Sequence, residues 1–374
     1  MQLFRLLAIV SLFLVSFLGQ NVFAGDDHAN HGEKEAFNVG DMIMHHIADA
    51  NEWHLFGDFS IPLPCIAYHP EKGLDFFSSS VFHHGHNSYN GYVLDHGVLK
   101  YVDDASFPQD GSHEVKIVGH GDVSHASYKG KEYEINRSSF YDFSITKVVA
   151  TMLLAALIML LLFSYVAKTY KTNQRAPKGI QNLVEILVSF VRDEVAKPGL
   201  GDKWEKYFPF LLTIFFFIWI CNMLGLMSPI GSPNATGNIM VTAALSLITF
   251  IIILFSANKH YWSHMLNPPG VPGWVKIILV PIEIASMFIK PAALMIRLFA
   301  NMTAGHIIIL SLVGIIFLIT NLAGQGAGWG TAILSGAFML FMNVLELFVA
   351  ALQAYVFAVL ASVFIGQAVA EPHH

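Results

Sequence analysis

Read for its hydrophobic and polar positions, the chain changes character near Tyr141. Upstream, apolar residues come in short runs, FSIPLPCIAY, GLDFFSSSVF, GYVLDHGVLKYV, HEVKIV and KEYEINR, separated by Gly, Pro, Asn and Asp. That punctuation predicts a small β-rich domain of hairpins over residues 25–141. Within it, ahead of those runs, Met42, Ile43, His46, Ile47 and Ala50 share a face, which predicts a helix from Asp41 to Trp53. Downstream, the apolar runs reach the length of about 20 residues that a bilayer crossing needs. Five crossings are expected, near residues 145–167, 208–227, 239–257, 277–322 and 331–369. After the first, Ile180, Leu183, Val184, Ile186, Leu187, Phe190, Val191 and Val195 fall on one side of a helix. Gln181, Glu185, Arg192 and Lys197 break its other side, so this segment reads as an amphipathic surface helix and not a span.

The expected fold class is an all-α polytopic membrane protein, with five membrane-crossing helices, one surface amphipathic helix and the small β-rich extramembrane domain at its N-terminus. The last two apolar runs are too long to stand upright. A helix of more than 40 residues within Val275 to Leu322 would by itself exceed roughly 60 Å, twice the hydrocarbon thickness. A steeply tilted hairpin is expected, its two arms joined by the glycine-rich turn LAGQGAGWGT.

Composition agrees with a membrane chain: 54% hydrophobic, 13% charged, mean hydropathy +0.54. The net charge of -6 and the lack of a Lys/Arg stripe argue against a nucleic-acid partner and leave membrane lipids as the expected surroundings. Residues 1–24 carry MQLFR, an apolar core and Val22-Phe23-Ala24, the pattern of a secretory signal peptide. Residues 25–141 would then be periplasmic. Lys168, Lys171, Arg175 and Lys178 form the basic flank expected on the cytoplasmic side of the first span, and five crossings put the C-terminus there too. The expected location is a bacterial inner membrane. The periplasmic segment holds 13 of the 18 histidines, among them His83, His84 and His86, with His28, His31, His45 and His46 upstream. No pair has the spacing of a zinc motif, so a solvated histidine-rich surface is expected and no metal site. Cys65 and Cys221 fall in segments too different to be expected to form a disulfide. Asn234-Ala235-Thr236 fits a glycosylation acceptor by chance. Nucleotide-binding glycine loops, HExxH and GxSxG are absent from the sequence, so neither a cofactor nor catalysis by this chain alone is expected.

The chemistry concentrates between Pro281 and Leu322. Glu283, Lys290 and Arg297 are seven apart, a spacing that returns to within about 20° of the same direction on a helix. Asn301 joins that face, while His306 lies nearly opposite. On the last run Glu346 and Gln353 are again seven apart, with Asn343 near Glu346. A charge at the bilayer centre costs about 2.5–3.5 kcal/mol on insertion scales, and a guanidinium cannot escape by losing its proton. Arg297 is therefore a functional candidate, and the polar stripes around it describe an ion pathway interrupted by a fixed charge. On these residues alone, salt bridges stapling two helices, such as Glu346 to Arg297, stay open as the alternative. An ion-coupled secondary transporter and a membrane-anchored periplasmic receptor are the rival classes. Transporters tend to show internal repeats and broken helices, and neither is visible.

MIRLFANMTAGHIII resembles the arginine signature of subunit a of F-type ATP synthases, usually written RLFxNMxAGH/E. ELFVAALQAYVFAVLASVFIG resembles that family's last helix, and FPFLLTIFFFIWICNMLGLMSP and NIMVTAALSLITF its second and third spans, so the likeness covers Ile145 to Ala370. The resemblance implies a stator subunit beside a rotating ring of c subunits, with the b-subunit stator stalk and the rest of the synthase as further partners. Two half-channels would load and unload protons on the ring carboxylate, with Arg297 separating them. By position, Arg297 matches the essential arginine, His306 a site filled by glutamate or histidine, and Glu346 one filled by histidine or glutamate. Gln353 matches the glutamine that faces the arginine, and Asn301, Glu283, Ser286 and Lys290 match further polar channel positions. His306 and Glu346 are assigned to the external half-channel as relay groups, Glu283 and Lys290 to the exit side. The periplasmic domain lies outside the family's common pattern.

Overall fold

A computed structural model of the chain describes residues 40, 43 and 47–370, apart from 57–58, 96, 119–123, 136–139, 173–177, 228–233, 269 and 271. The signal segment and His28, His31, His45 and His46 lie outside the described residues. The chain falls into two compact units, one of residues up to Met152 together with Met227–Pro233, the other holding Leu153–Leu226 and the chain from Asn234 on.

The first unit is built of short antiparallel strands. β1 (Glu52–Phe56) pairs with β2 (Phe59–Pro62). β3 (Pro64–His69) lies between β4 (Gly73–Ser78) and β12 (Tyr141–Asp142). A 3-10 turn, Ser79–Gly85, leads into a four-stranded sheet ordered β7 (Val98–Tyr101), β6 (Tyr92–Asp95), β5 (Asn87–Tyr89), β8 (Ser112–Glu114). The last sheet joins β9 (Lys116–Val118), β10 (His125–Tyr128) and β11 (Lys131–Glu134). β6 explains the layering, since all four of its residues are buried. Strand residues alternate between faces. Tyr92 and Leu94 enter a core with Cys65, Ala67, Phe77 and Leu99, while Val93 enters another with Val102, Phe107, Ala126 and Tyr133. The β6 sheet is thus covered on both sides. β5 turns into β6 through Asn90 (φ 50) and Gly91 (φ 84), the Asn-Gly turn whose left-handed residues match the twist of paired strands.

One expectation fails here. Gly40, Ile43 and Ile47 are helical, but the helix does not reach Trp53, which stands in β1 opposite Ile61. The Asn51 N–H donates to the Gly97 carbonyl at 2.7 Å, and the Lys147 N–H donates to the Ala50 carbonyl at 2.8 Å. These non-local bonds take the segment out of its helical periodicity.

The remainder is helical. α1 (Lys147–Thr172) is succeeded by α2 (Ile180–Phe190), which runs on through a π-helical turn, Val191–Ala196, to Leu200. Gly201, at φ 57, breaks that helix before α3 (Trp204–Leu226). α4 (Ile239–Ser256), α5 (Lys259–Leu266), α6 (Gly273–Ala323) and α7 (Gln325–Val369) complete the chain. Among the described residues, five stretches are long and apolar enough to cross a membrane: α1, α2 with α3, α4, α6 and α7. α2 does not sort its residues as expected: Val184 is buried together with the polar Gln181, while Ile180, Leu183 and Ile186 of the apolar side stay exposed. At 51 and 45 residues, α6 and α7 are longer than their apolar runs suggest. Their lengths of about 77 and 68 Å exceed any upright crossing.

The glycine-rich connection is a second departure. Only Gly324 (φ 85, ψ 172) separates the two long helices, and Gln325 to Gly330 belong to α7. Away from water every backbone group must bond internally, which favours helix even through glycines. Gly328 serves packing: a Cβ there would collide with the Thr320 side chain of α6.

The core of the second unit joins Ile214, Phe215, Phe216 and Ile218 of α3, Leu294, Leu298 and Met302 of α6, and Ala354, Phe357 and Ala358 of α7. Alanines at the contact let the backbones approach. Ser362 donates to the Val195 carbonyl at 2.8 Å, in the π turn where the α-helical ladder is interrupted. At the end of α7, the Val369 carbonyl accepts from Lys203 Nζ at 3.0 Å and from Asn258 Nδ2 at 2.9 Å. Terminal carbonyls without intrahelical partners thereby find donors, one of them cationic.

Candidate functional site

The polar residues are strung along the α6–α7 hairpin, and a close approach between its arms fixes the first group. A Cβ on Gly305 would sit 2.6 Å from Glu346 Oε1, so Glu346 of α7 packs on bare backbone of α6. His306 Nε2 lies 3.8 Å from the same oxygen, with the Glu346 side chain 4% and His306 13% exposed. That is close enough for attraction and too long for a direct hydrogen bond. Neither Glu346 oxygen accepts a hydrogen bond from the described residues. A carboxyl held beside an imidazole, clear of fixed donors, can exchange a proton without first breaking a hydrogen bond.

Arg297 is placed differently. It is exposed on the flank of the Leu294–Leu298 stripe, and it forms no ion pair or hydrogen bond with the described residues. The Glu346–Arg297 staple therefore does not form, because Glu346 meets the side of α6 that carries His306. Asn301, one turn on, is exposed beside Arg297. Gln353 is buried in α7, on the same side as Glu346. Counting eight residues back along α6 and eight forward along α7 from the Gly305–Glu346 contact puts Arg297 level with Ala354, next to Gln353.

Before Arg297 the heptad stripe separates. Lys290 Nζ donates to Gln367 Oε1 at 2.9 Å and sits 5.4 Å from the centre of the Phe364 ring, so it is docked on α7. Glu283 is half-buried near Tyr261 of α5, whose phenol pKa is raised by burial first and by the Glu283 charge second. Ser286 is half-buried between them along the helix.

Sequence reasoning passed over a closed polar link. Thr236 donates to Asn222 Oδ1 at 2.6 Å, and Asn222 Nδ2 donates to the Ala350 carbonyl at 3.0 Å, with both side chains fully buried. Asn222 carried a signal, an amide within an apolar run. Thr236, read as part of a chance acceptor, packs inside the bundle, and Gly305 stood within the arginine signature with no role assigned to it. In the first unit, His84 Nδ1 lies 3.0 Å from Glu52 Oε2. Among the described residues, no group of three or more His, Cys, Asp or Glu side chains is placed to hold a metal ion. Cys65 and Cys221 are buried free thiols.

Fold and site together describe an integral helical membrane protein whose polar groups line one long hairpin. Residues 149–366 match the family described as ATP synthase A chain, and residues 42–143 match a domain of unknown function, DUF8433. Among similar proteins, ATP synthase subunit a of Chloroherpeton thalassium is 46% identical over 241 residues, covering 63% of this chain and 69% of the relative. ATP synthase subunit a 2 of Chlorobaculum tepidum is 48% identical over 237 residues, 62% of this chain and 64% of the relative. The subunit a of Myxococcus xanthus is 43% identical over 240 residues, 62% and 75% of the two chains. The chain belongs to the ATP synthase subunit a family, and as such is not catalytic alone.

Proposed function

We propose that this chain is the stator proton-channel subunit of a rotary F-type ATP synthase. Two half-channels load and unload protons on the carboxylate of a c-subunit ring, and Arg297 separates them. The observation that carries this reading is Arg297 itself, an always-charged group exposed on a membrane hairpin with no ion-pair partner among the described residues of its own chain. A ring carboxylate passing on that face supplies the missing charge. The fixed positive charge favours the ionised form of that carboxylate and so favours release of its proton. It also blocks a direct leak, which would waste about 2.3 kcal/mol per charge and 100 mV.

The two half-channels lie on either side of Arg297 along α6. His306 and Glu346 belong to the external one as relay groups, and Glu283, Ser286 and Lys290 to the exit. Helical rise puts His306 about 13 Å beyond Arg297 and Lys290 about 10 Å before it. Asn301 and Gln353 flank the arginine and keep its surroundings polar. The b-subunit stalk and the rest of the synthase are the remaining partners. Residues 25–141 are periplasmic, the C-terminus is cytoplasmic, and the membrane is a bacterial inner membrane. The receptor and transporter readings give no account of the family match over 149–366. ATP-driven proton pumping in membrane vesicles tests the proposal: Arg297→Ala should abolish it with the complex still assembled, and retained coupled pumping refutes it.

A further inference from the structure

The β12–β3–β4 sheet of the first unit has two unlike faces. Cys65, Ala67, His69 and Phe77 point into the core. The opposite face carries Tyr68, Leu74 and Tyr141 in one cross-strand row, then Ile66, Phe76 and Phe143 in the next. Leu74, Phe76, Tyr141 and Phe143 are 67, 72, 63 and 64% exposed. A one-sided antiparallel sheet normally turns polar residues to water, and a contiguous exposed apolar patch marks a contact surface.

The neighbouring helix indicates what covers the patch. β12 passes directly into α1, and backbone hydrogen bonds fix that junction. Phe143 N–H donates to the Ile66 carbonyl at 2.8 Å, and Ile145 N–H to that of Pro64 at 3.0 Å. Ser144 Oγ accepts from the Ile66 N–H at 3.0 Å, and Asp49 Oδ1 accepts from the Val148 N–H at 3.2 Å. The first turn of α1 is thus clamped to the sheet. α1 is among the most apolar stretches, with a mean hydropathy of 2.5 over its most apolar 18 residues within Lys147–Tyr170. Phe143 stands four residues before its start. A bilayer that takes up α1 therefore has its interface at the level of the patch, and aromatic side chains with a polar tip favour that depth.

We propose that the outer face of this sheet, through Tyr68, Leu74, Phe76, Tyr141 and Phe143, lies in the lipid interface at the N-terminal end of α1. The β-rich unit is then seated on the membrane by its own surface as well as by its tether. The proposal rests on α1 crossing the bilayer and on no assignment made along α6 and α7. The test uses the full chain in vesicles of phosphatidylcholine and phosphatidylglycerol, with a fluorescent thiol label at Phe76→Cys, and at Tyr141→Cys in case the first variant does not fold. Leu157→Cys on the exposed side of α1 and Glu132→Cys on β11 serve as references. Brominated lipid should quench Phe76→Cys as it does Leu157→Cys and leave Glu132→Cys bright, and iodide should do the reverse. Iodide quenching at Phe76→Cys with lipid quenching at Leu157→Cys overturns the proposal and leaves the span intact. Shielding of Phe76→Cys from both quenchers means that protein covers the patch, which also overturns it. Loss of lipid quenching at Leu157→Cys removes α1 as a span, and the proposal goes with it.

Discussion

The two units handle charge in opposite ways. In the β-rich unit, buried charges are closed off locally. Lys100 Nζ lies 2.7 Å from Asp95 Oδ2 on the β6–β7 hairpin, with the side chains 14 and 2% exposed, and buried Glu52 meets His84 at 3.0 Å. On the α6–α7 hairpin the charged groups are instead spread along some 60 residues of sequence, with His306 and Glu346 close but not hydrogen-bonded and Arg297 exposed. A closed pair fixes a shape, because removing one member strands the other in a poor solvent. A spaced set leaves its undocked members able to change partner. The difference separates charge used for architecture from charge proposed for transport.

The largest effect is expected at the open charge. Arg297→Lys keeps a cation but loses the planar fork and the permanent protonation of guanidinium, and coupled proton pumping in vesicles should fall nearly as far as with Arg297→Ala. Full activity in the lysine variant would reduce Arg297 to a simple positive charge. In the closed pair, Lys100→Ala should destabilise the β-rich unit by about 3–5 kcal/mol. Amide exchange on the full chain should show faster opening of β6 and β7 with little change in α6 and α7. A uniform response would erase the contrast between the units.

The intermediate case is the His306–Glu346 pair. Glu346→Gln should slow proton flow about tenfold, equivalent to about 1.4 kcal/mol, while assembly persists; an unchanged rate would demote the pair to packing. Gly305→Ala tests the same site by shape alone, since the added methyl must displace Glu346, and a comparable slowing is expected. The smallest effect concerns Cys65, whose thiol is pushed up to about 11, chiefly by burial. It stays protonated at neutral pH, so the folded unit should resist maleimide that the unfolded chain takes up readily. Because the raised value favours the neutral thiol, its contribution to stability is full below the ordinary value of 9.0 and is lost as pH climbs towards 11.

Much of the architecture was legible because membrane helices announce themselves by length and hydropathy alone. The heptad spacing of Glu283, Lys290 and Arg297 also placed them along one side of α6. It could not say which would be docked, because Lys290 finds Gln367 only after α7 folds back against it. The contacts made by Gly305 and Thr236 were illegible for a related reason: each depends on a surface brought in from elsewhere in the chain. The run Gln325–Gly330 misled in the other direction. In water its glycines would favour a turn, whereas in the helical hairpin they continue the helix, and Gly328 leaves room for the Thr320 side chain.

That single-residue junction at Gly324 makes the hairpin behave like a vernier. With no slack between the arms, each residue along α7 has a set phase against α6. A residue inserted in α7 between Gly328 and Glu346 would advance everything beyond it by about 1.5 Å and rotate it by one-3.6th of a turn. Glu346 would swing off the Gly305 backbone, and Gln353 would turn out of its buried position by the same angle. The two arms thus act as one gauge, in which the spacing of polar groups is read out from a zero mark at the tip.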